Sequence, residues 1–101
     1  MYFLVTAYDG TDENAPARRM EMRPRHLENI MKVKEKGSVI CAGGITNDEG
    51  TPIGSYLVME FETRALLDEY LESEPYISSG VWQNVKVENV RIAVQNDTLI
   101  G

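Results

Sequence analysis

The pentapeptide Arg23-Pro24-Arg25-His26-Leu27 is expected to open an amphipathic helix that extends to about Gly37. Pro24 suits the first position of a helix, where its missing N–H costs nothing, and a residue that precedes proline avoids the helical region. The sequence therefore predicts that the helix starts at Pro24 and that His26 lies in its first turn. There the helix macrodipole disfavours the imidazolium form, so His26 could serve as a base near pH 7. The alternative is a surface or half-buried histidine with no chemical role.

Strands are expected on both sides of this helix. Residues 2–8 are rich in aromatic and β-branched side chains, and two further strands, 38–45 and 55–62, flank the turn residues 46–54. Thr63 can cap a second helix that ends before Pro75, residues 75–80 form a turn or a single helical turn, and a last strand spans about 82–94. This β-α-β-β-α-β order is the ferredoxin-like arrangement of an α+β fold.

The apolar positions of the last strand change phase once. Val85 and Val87 alternate on one face, whereas Val90, Ile92 and Val94 fall on the other. A bulge near residues 88–89 would restore one continuous apolar face.

Length and composition favour one soluble domain over residues 1–101, with 96–101 as a short tail. Charged residues make up 26% of the chain and the net charge is −6, which argues against a nucleic-acid surface and against attraction to anionic membranes. The single cysteine permits no internal disulfide and no cysteine metal cluster. The N-terminus lacks the basic region of a signal peptide, so a cytoplasmic protein is expected.

The strands are apolar on both faces, although two helices can cover only one face of a four-stranded sheet. Phe3 and Val5 alternate with Leu4 in the first strand, and Leu57 alternates with Val58 in the third. A second copy of the chain, packed sheet to sheet, would bury the uncovered face. The alternative is a monomer with a ligand cleft on that face.

Several short motifs occur together: Tyr2-Phe3, Arg23-Pro24-x-His26-Leu27, Ala42-Gly43-Gly44, Gly54-Ser55, Glu74-Pro75-Tyr76 and Ser79-Gly80-Val81. In their order and spacing the chain resembles the YciI-like (YCII-related) family over about residues 2–94. The resemblance implies a ferredoxin-like α+β fold that dimerises into an α+β barrel, and an active site built on a histidine and an aspartate. Dehydrochlorinase-type lyase chemistry on hydroxylated rings is associated with some members of this family.

Transferred to this chain, the resemblance assigns the catalytic histidine to His26 and the acidic partner to Glu74. Glutamate stands where the family has aspartate, and it places the carboxylate about 1.5 Å further from the backbone. A carboxylate bonded to one ring nitrogen fixes the tautomer and leaves the other nitrogen free to take a proton. We therefore expect His26 and Glu74 to lie within direct or single-water hydrogen-bonding reach, and proton abstraction in an elimination or isomerisation. Without the resemblance, the sequence favours an exposed carboxylate at a helix end for Glu74.

The expected substrate-binding residues are Arg23, Gly43, Gly44, Ser55 and Tyr76. Arg23 could hold an anionic substrate, but it could also be a solvated surface charge, as we expect for Arg18 and Arg19. Gly43, Gly44 and Ser55 could line a pocket floor that offers backbone amides to an oxyanion, or the glycines could only relieve crowding. Tyr76 could donate to a substrate oxygen or simply pack.

No metal site and no cofactor are expected, because one histidine and scattered carboxylates form no recognisable ligand set. Two functions remain open: a small cofactor-independent lyase or isomerase, and a non-catalytic dimeric module that binds a small ligand or a protein.

Overall fold

A computed structural model describes residues 1–36, 38–95 and 98–99. The elements are β1 (Tyr2–Asp9), α1 (Ala15–Glu35), β2 (Val39–Thr46), β3 (Pro52–Glu60), α2 (Arg64–Ser73), α3 (Pro75–Ser78), β4 (Trp82–Val90), β5 (Val94–Gln95) and β6 (Thr98–Leu99). The first four strands form one antiparallel sheet in the order β2-β3-β1-β4. The ferredoxin-like α+β fold predicted from the sequence is confirmed.

Helix α1 starts earlier than predicted, at Ala15 instead of Pro24. Pro16 occupies the start of the helix, where proline is well tolerated, and Pro24 lies in the interior. Pro24 removes the hydrogen bond to the carbonyl of Met20, but both residues are exposed, so water can satisfy that carbonyl. His26 consequently lies about three turns into the helix, beyond the first turn in which the N-terminal macrodipole disfavours an imidazolium.

The core lies between the sheet and the helices. Phe3, Val5 and Ala7 of β1 are completely buried. They pack with residues of β3 and the helices, namely Leu57, Met59, Ile30, Leu67, Tyr70 and Tyr76. As predicted, Thr63 caps α2, since its hydroxyl accepts a hydrogen bond of 3.2 Å from the Leu66 amide.

The opposite face of the sheet, hereafter the open face, carries apolar side chains without a helix above it. Leu4 pairs with Val58 across β1 and β3, and Tyr8 and Tyr56 are 46% and 37% exposed. The two-sided apolar pattern is thus present in the fold. Homodimerisation through this face stays a prediction.

The predicted bulge near residues 88–89 is wrong. Strand β4 pairs with β1 in unbroken register from Asn84 to Val90, and the only shift between these strands lies beside Asp9. Val87 therefore faces the helices opposite Val5, whereas Val90 lies on the open face opposite Tyr2. Because both faces of this sheet accept apolar side chains, the phase change needs no bulge.

The C-terminal end of the chain differs from the expected last strand and tail. Strand β4 ends at Val90, and residues 94–95 pair with residues 98–99 as a separate two-stranded ladder. The other residues of the predicted tail, and Gly37 as the predicted helix stop, lie outside the described residues. Within the described ranges, none of the helices combines the length and the apolar character that a membrane span requires. A single domain over residues 1–101 stays a prediction.

Candidate active site

His26 and Glu74 meet inside the molecule. The imidazole Nδ1 lies 2.6 Å from Oε1 of Glu74, and the two residues are 6% and 0% exposed. The predicted contact is therefore present, and the alternatives of a surface histidine and an exposed helix-end carboxylate are wrong. The extra methylene of glutamate keeps the carboxylate within reach of the ring.

The position of Glu74 follows from its place between two helices. It is the C-cap of α2 and the N-cap of α3. Its extended backbone, followed by Pro75, allows α3 to start directly after α2. Its Oε1 also accepts the Tyr76 amide at 3.1 Å, and its Oε2 accepts the Tyr70 hydroxyl at 2.6 Å. Three donors therefore hold the carboxylate in one orientation, as a buried acidic group requires.

Aromatic rings enclose the imidazole of His26. The ring of Tyr76 stacks on it with a centroid distance of 3.9 Å and an angle of 10° between the planes, and Trp82 approaches edge-on at 5.5 Å. Burial raises the pKa of Tyr76. Burial, assisted by the neighbouring Glu74 carboxylate, also raises the pKa of Tyr70. Both phenols therefore remain neutral donors near pH 7.

Sequence reasoning missed a polar network beside this pair. The guanidinium of Arg19 binds both carboxylate oxygens of Asp9 at 3.0 Å and donates to Oγ of Ser55 at 3.0 Å. It also lies 5.1 Å from the centroid of the Tyr76 ring. The indole N–H of Trp82 donates to the same Ser55 Oγ at 3.1 Å. Arg19 was expected to be a surface charge because no local pattern links it to Asp9, which lies in another element.

A pocket of about 240 Å³ lies between α1 and the sheet. It is lined by His26 and by every residue predicted to bind substrate, namely Arg23, Gly43, Gly44, Ser55 and Tyr76, with Arg19 added. Glu74 does not line it and lies behind His26. A Cβ on Gly44 would have no neighbour closer than 3.7 Å, whereas one on Gly43 would meet Tyr56 at 2.7 Å. Gly44 thus keeps space open beside Arg19, and Gly43 lets the Tyr56 ring approach the strand.

The arrangement defines the hydrogen-bonding roles of the imidazole. Since a carboxylate only accepts, Nδ1 must carry the proton of the bond to Glu74. Nε2 has no hydrogen-bond partner among the described residues. It is not fully buried, so solvent in the pocket reaches it. In the neutral ring this nitrogen carries a free lone pair, which is the requirement for a general base. No group of three metal-ligating side chains occurs within the described ranges.

The profile of the YCII-related domain matches residues 1–91. The chain belongs to the YCII-related domain family. It is 28% identical over 94 residues to protein YciI of Escherichia coli O6:H1, which covers 87% of this chain and 94% of that protein. It is also 30% identical over 86 residues to aspercryptin biosynthesis cluster protein B of Emericella nidulans, covering 78% of this chain and 53% of that protein.

The fold also resembles a solved structure, that of 5-chloro-2-hydroxyhydroquinone dehydrochlorinase (TftG) from Burkholderia phenoliruptrix AC1100 in complex with 2,5-dihydroxybenzoquinone. The TM-score is 0.77 at 22% sequence identity, and the match covers 90% of this chain and 94% of TftG. At this identity the likeness establishes the shared fold.

Proposed function

We propose that this YCII-related protein is a small, cofactor-independent enzyme of the lyase or isomerase type, in which His26 is the general base and Glu74 orients it. The observation that carries the proposal is the fully buried Glu74 carboxylate, which binds Nδ1 of His26 at 2.6 Å and leaves Nε2 to the pocket. Tyr70 and the Tyr76 amide support it by fixing the carboxylate.

In the proposed step, Nε2 of His26 takes a proton from the substrate, and the Nδ1 proton stays in its bond to Glu74. The electron pair of the broken bond forms a new double bond. In an elimination the leaving group departs with its electrons, and in an isomerisation the proton returns at another atom. The imidazolium that forms is stabilised by the adjacent carboxylate, and its Nε2 proton then passes to the leaving group or product. A positioned acid–base group of this kind contributes about 10²–10⁴-fold in rate.

The proposed substrate is a small hydroxylated ring that carries negative charge. The aromatic wall formed by Tyr76 and the volume of about 240 Å³ suit one ring. Arg23 lines the pocket and makes no ion pair within the described part of the chain, so its guanidinium is available to an anionic oxygen. The dehydrochlorinase activity and the quinone ligand of TftG support the same class of compound.

Turnover of chlorinated and hydroxylated hydroquinones, followed by absorbance and chloride release, tests this proposal. We expect His26→Gln to lower kcat by about 10²-fold or more, and Glu74→Gln to lower it while leaving the protein folded. Glu28→Gln, which changes an exposed carboxylate on the same helix, is the matched control and should retain full activity.

The same experiment separates the alternative function, a dimeric module that binds a small ligand or a protein. Saturable binding of the ring compounds by wild type and His26→Gln alike, with no turnover by either, would favour the binding module and refute the enzyme. We further propose that the protein is a homodimer joined through the open face, because that face carries the uncovered apolar side chains of β1 and β3.

A further inference from the structure

Ser55 lies in β3, where it pairs with Ala7 on one side and Gly44 on the other. It is 2% exposed and lines the pocket beside His26. Two N–H groups converge on its hydroxyl oxygen: Nη2 of Arg19 at 3.0 Å and Nε1 of Trp82 at 3.1 Å. The hydroxyl is thus held from two directions by groups of neighbouring elements.

The number of donors and acceptors at the Ser55 hydroxyl determines which hydrogen bond it can still make. A guanidinium and an indole N–H can only donate, whereas a serine hydroxyl has two acceptor lone pairs and one hydrogen. Both lone pairs of Oγ are therefore used by Arg19 and Trp82. The O–H hydrogen must find an acceptor elsewhere, and the described residues offer no hydrogen bond in which Ser55 Oγ is the donor. The pocket that Ser55 lines is the remaining direction.

We infer that Ser55 is an obligate hydrogen-bond donor to the bound ligand, and that the pocket accepts rings with an acceptor oxygen, either a carbonyl or an ionised hydroxyl, facing Ser55. This inference rests on the proposed function in taking the pocket beside His26 as the ligand site. Nε2 of neutral His26 accepts and Ser55 donates, so the ligand must present an acidic hydrogen to one and an oxygen acceptor to the other. A ring that carries a hydroxyl group together with a carbonyl, or together with a second, ionised hydroxyl, meets both requirements.

The donor role also gives Ser55 a part in the proposed proton transfer. When Nε2 removes a proton from a carbon or hydroxyl conjugated with the carbonyl, the electron pair of that bond shifts toward the carbonyl oxygen. The bond from the Ser55 hydroxyl then strengthens as negative charge develops on this oxygen, without transfer of its proton. Because Asp9 binds Arg19 through both oxygens, and these side chains are only 6% and 12% exposed, the Ser55 oxygen is oriented before the ligand arrives.

Neutron diffraction from deuterium-exchanged wild-type crystals tests the direction of the hydroxyl without any ligand. We expect deuterium on Nδ1 of His26 and a Ser55 deuteron that points into the pocket, toward solvent. A deuteron that points at a main-chain carbonyl, or a Ser55 oxygen that lacks one of its two N–H donors, would overturn the inference.

Ligand binding provides a second test, with 2,5-dihydroxybenzoquinone as the acceptor probe and hydroquinone as the comparison ring. Ser55→Ala should weaken quinone binding by about 10-fold or more, since a hydrogen bond to a charged acceptor contributes about 1.5–3 kcal/mol, and should move the carbonyl stretch of the bound quinone to higher frequency. Hydroquinone binding should change less than the quinone binding. Ser55→Thr keeps the hydroxyl and should restore the frequency, and Ser73→Ala, an exposed serine, is the control.

The outcomes distinguish this inference from the proposed function. Equal quinone affinity and equal carbonyl frequency in wild type and Ser55→Ala would refute the donor role, even if His26→Gln abolishes turnover. Weaker binding and a frequency shift in Ser55→Ala, with no turnover by any variant, would support the donor role and refute the enzyme. A wild-type protein that binds hydroquinone but not the quinone would overturn the proposed ligand class.

Discussion

Tyr70→Phe removes one hydroxyl from the support of the candidate active site. The phenol donates to Oε2 of Glu74 at 2.6 Å, and it is the only donor to that oxygen among the described residues. Loss of a hydrogen bond to a buried charged group costs about 1.5–3 kcal/mol. We therefore expect the free energy of unfolding at pH 7 to fall by about 2 kcal/mol, because the shape of the ring is kept and only the bond is lost.

The difference between wild type and Tyr70→Phe should disappear in alkaline solution. The pKa of Tyr70 is raised in the fold above its ordinary value of 10.0, first by burial and then by Glu74. The stabilisation is therefore complete below pH 10 and is lost as the pH rises toward the folded pKa, because only the unfolded tyrosine ionises. Each pH unit above 10 lowers the free energy of unfolding of wild type by about 1.4 kcal/mol. An initial advantage of about 2 kcal/mol is therefore lost by about pH 11.5, where the two proteins should be equally stable.

Urea unfolding monitored by circular dichroism between pH 7 and 11.5 measures both quantities. Tyr8→Phe is the matched control, since Tyr8 is 46% exposed and makes no hydrogen bond through its hydroxyl among the described contacts. Parallel stability curves for wild type and Tyr70→Phe over this range would refute the reasoning. Equal stability at pH 7 would show that the Tyr70–Glu74 bond contributes nothing to the fold.

Two further pairs of substitutions test the open face and the glycines of β2 and β3. Val58→Asp places a charge on the open face and should reduce the mass measured by light scattering from twice the 11.4 kDa of the chain to that of a single chain. Met20→Asp, at a helix position that is 73% exposed, is the control and should leave the mass unchanged. A monomeric wild type would refute the dimer. Gly54→Ala forces a Cβ against the main-chain oxygen of Ala7 and should lower the free energy of unfolding by about 1–3 kcal/mol. Gly44→Ala places no atom closer than 3.7 Å to the added Cβ, so the fold should tolerate it, but ligand binding should weaken. Equal destabilisation by both changes would contradict the different roles given to the two glycines.

Much of the candidate site could be predicted because its motifs are short and ordered. The structure of Glu74-Pro75-Tyr76 depends on contacts within the motif. The Glu74 carboxylate caps the helix that begins at Pro75 by accepting a hydrogen bond from the Tyr76 amide. The contact to His26, 48 positions away, followed from the family resemblance. Neither its 2.6 Å length nor the stacking on Tyr76 could be derived from spacing, because these depend on how α1 and α3 pack.

The predicted start of α1 at Pro24 shows where local rules fail. The preference of proline for the first helical position is weak compared with the gain from a long helix that already begins at Ala15, with Pro16 in its first turn, and buries Ala15, His26 and Ile30. The prediction of a bulge in β4 was wrong because it also rested on a local pattern. An apolar phase slip signals a bulge only if one face is polar, and here both faces receive apolar side chains.

The order of the four sheet strands and the two long helices follows from the sequence alone, because hydrophobic periodicity and turn residues act over a few neighbouring positions. Tertiary packing, which the sequence does not reveal, brings Arg19 and Trp82 onto Ser55 and places Asp9 against Arg19, since these four residues come from α1, β4, β3 and β1. Their contacts exist because the sheet brings β1, β3 and β4 side by side and the helices close over one face. A buried guanidinium then requires a carboxylate, and a buried indole N–H requires an acceptor, and packing alone selects which residues supply them.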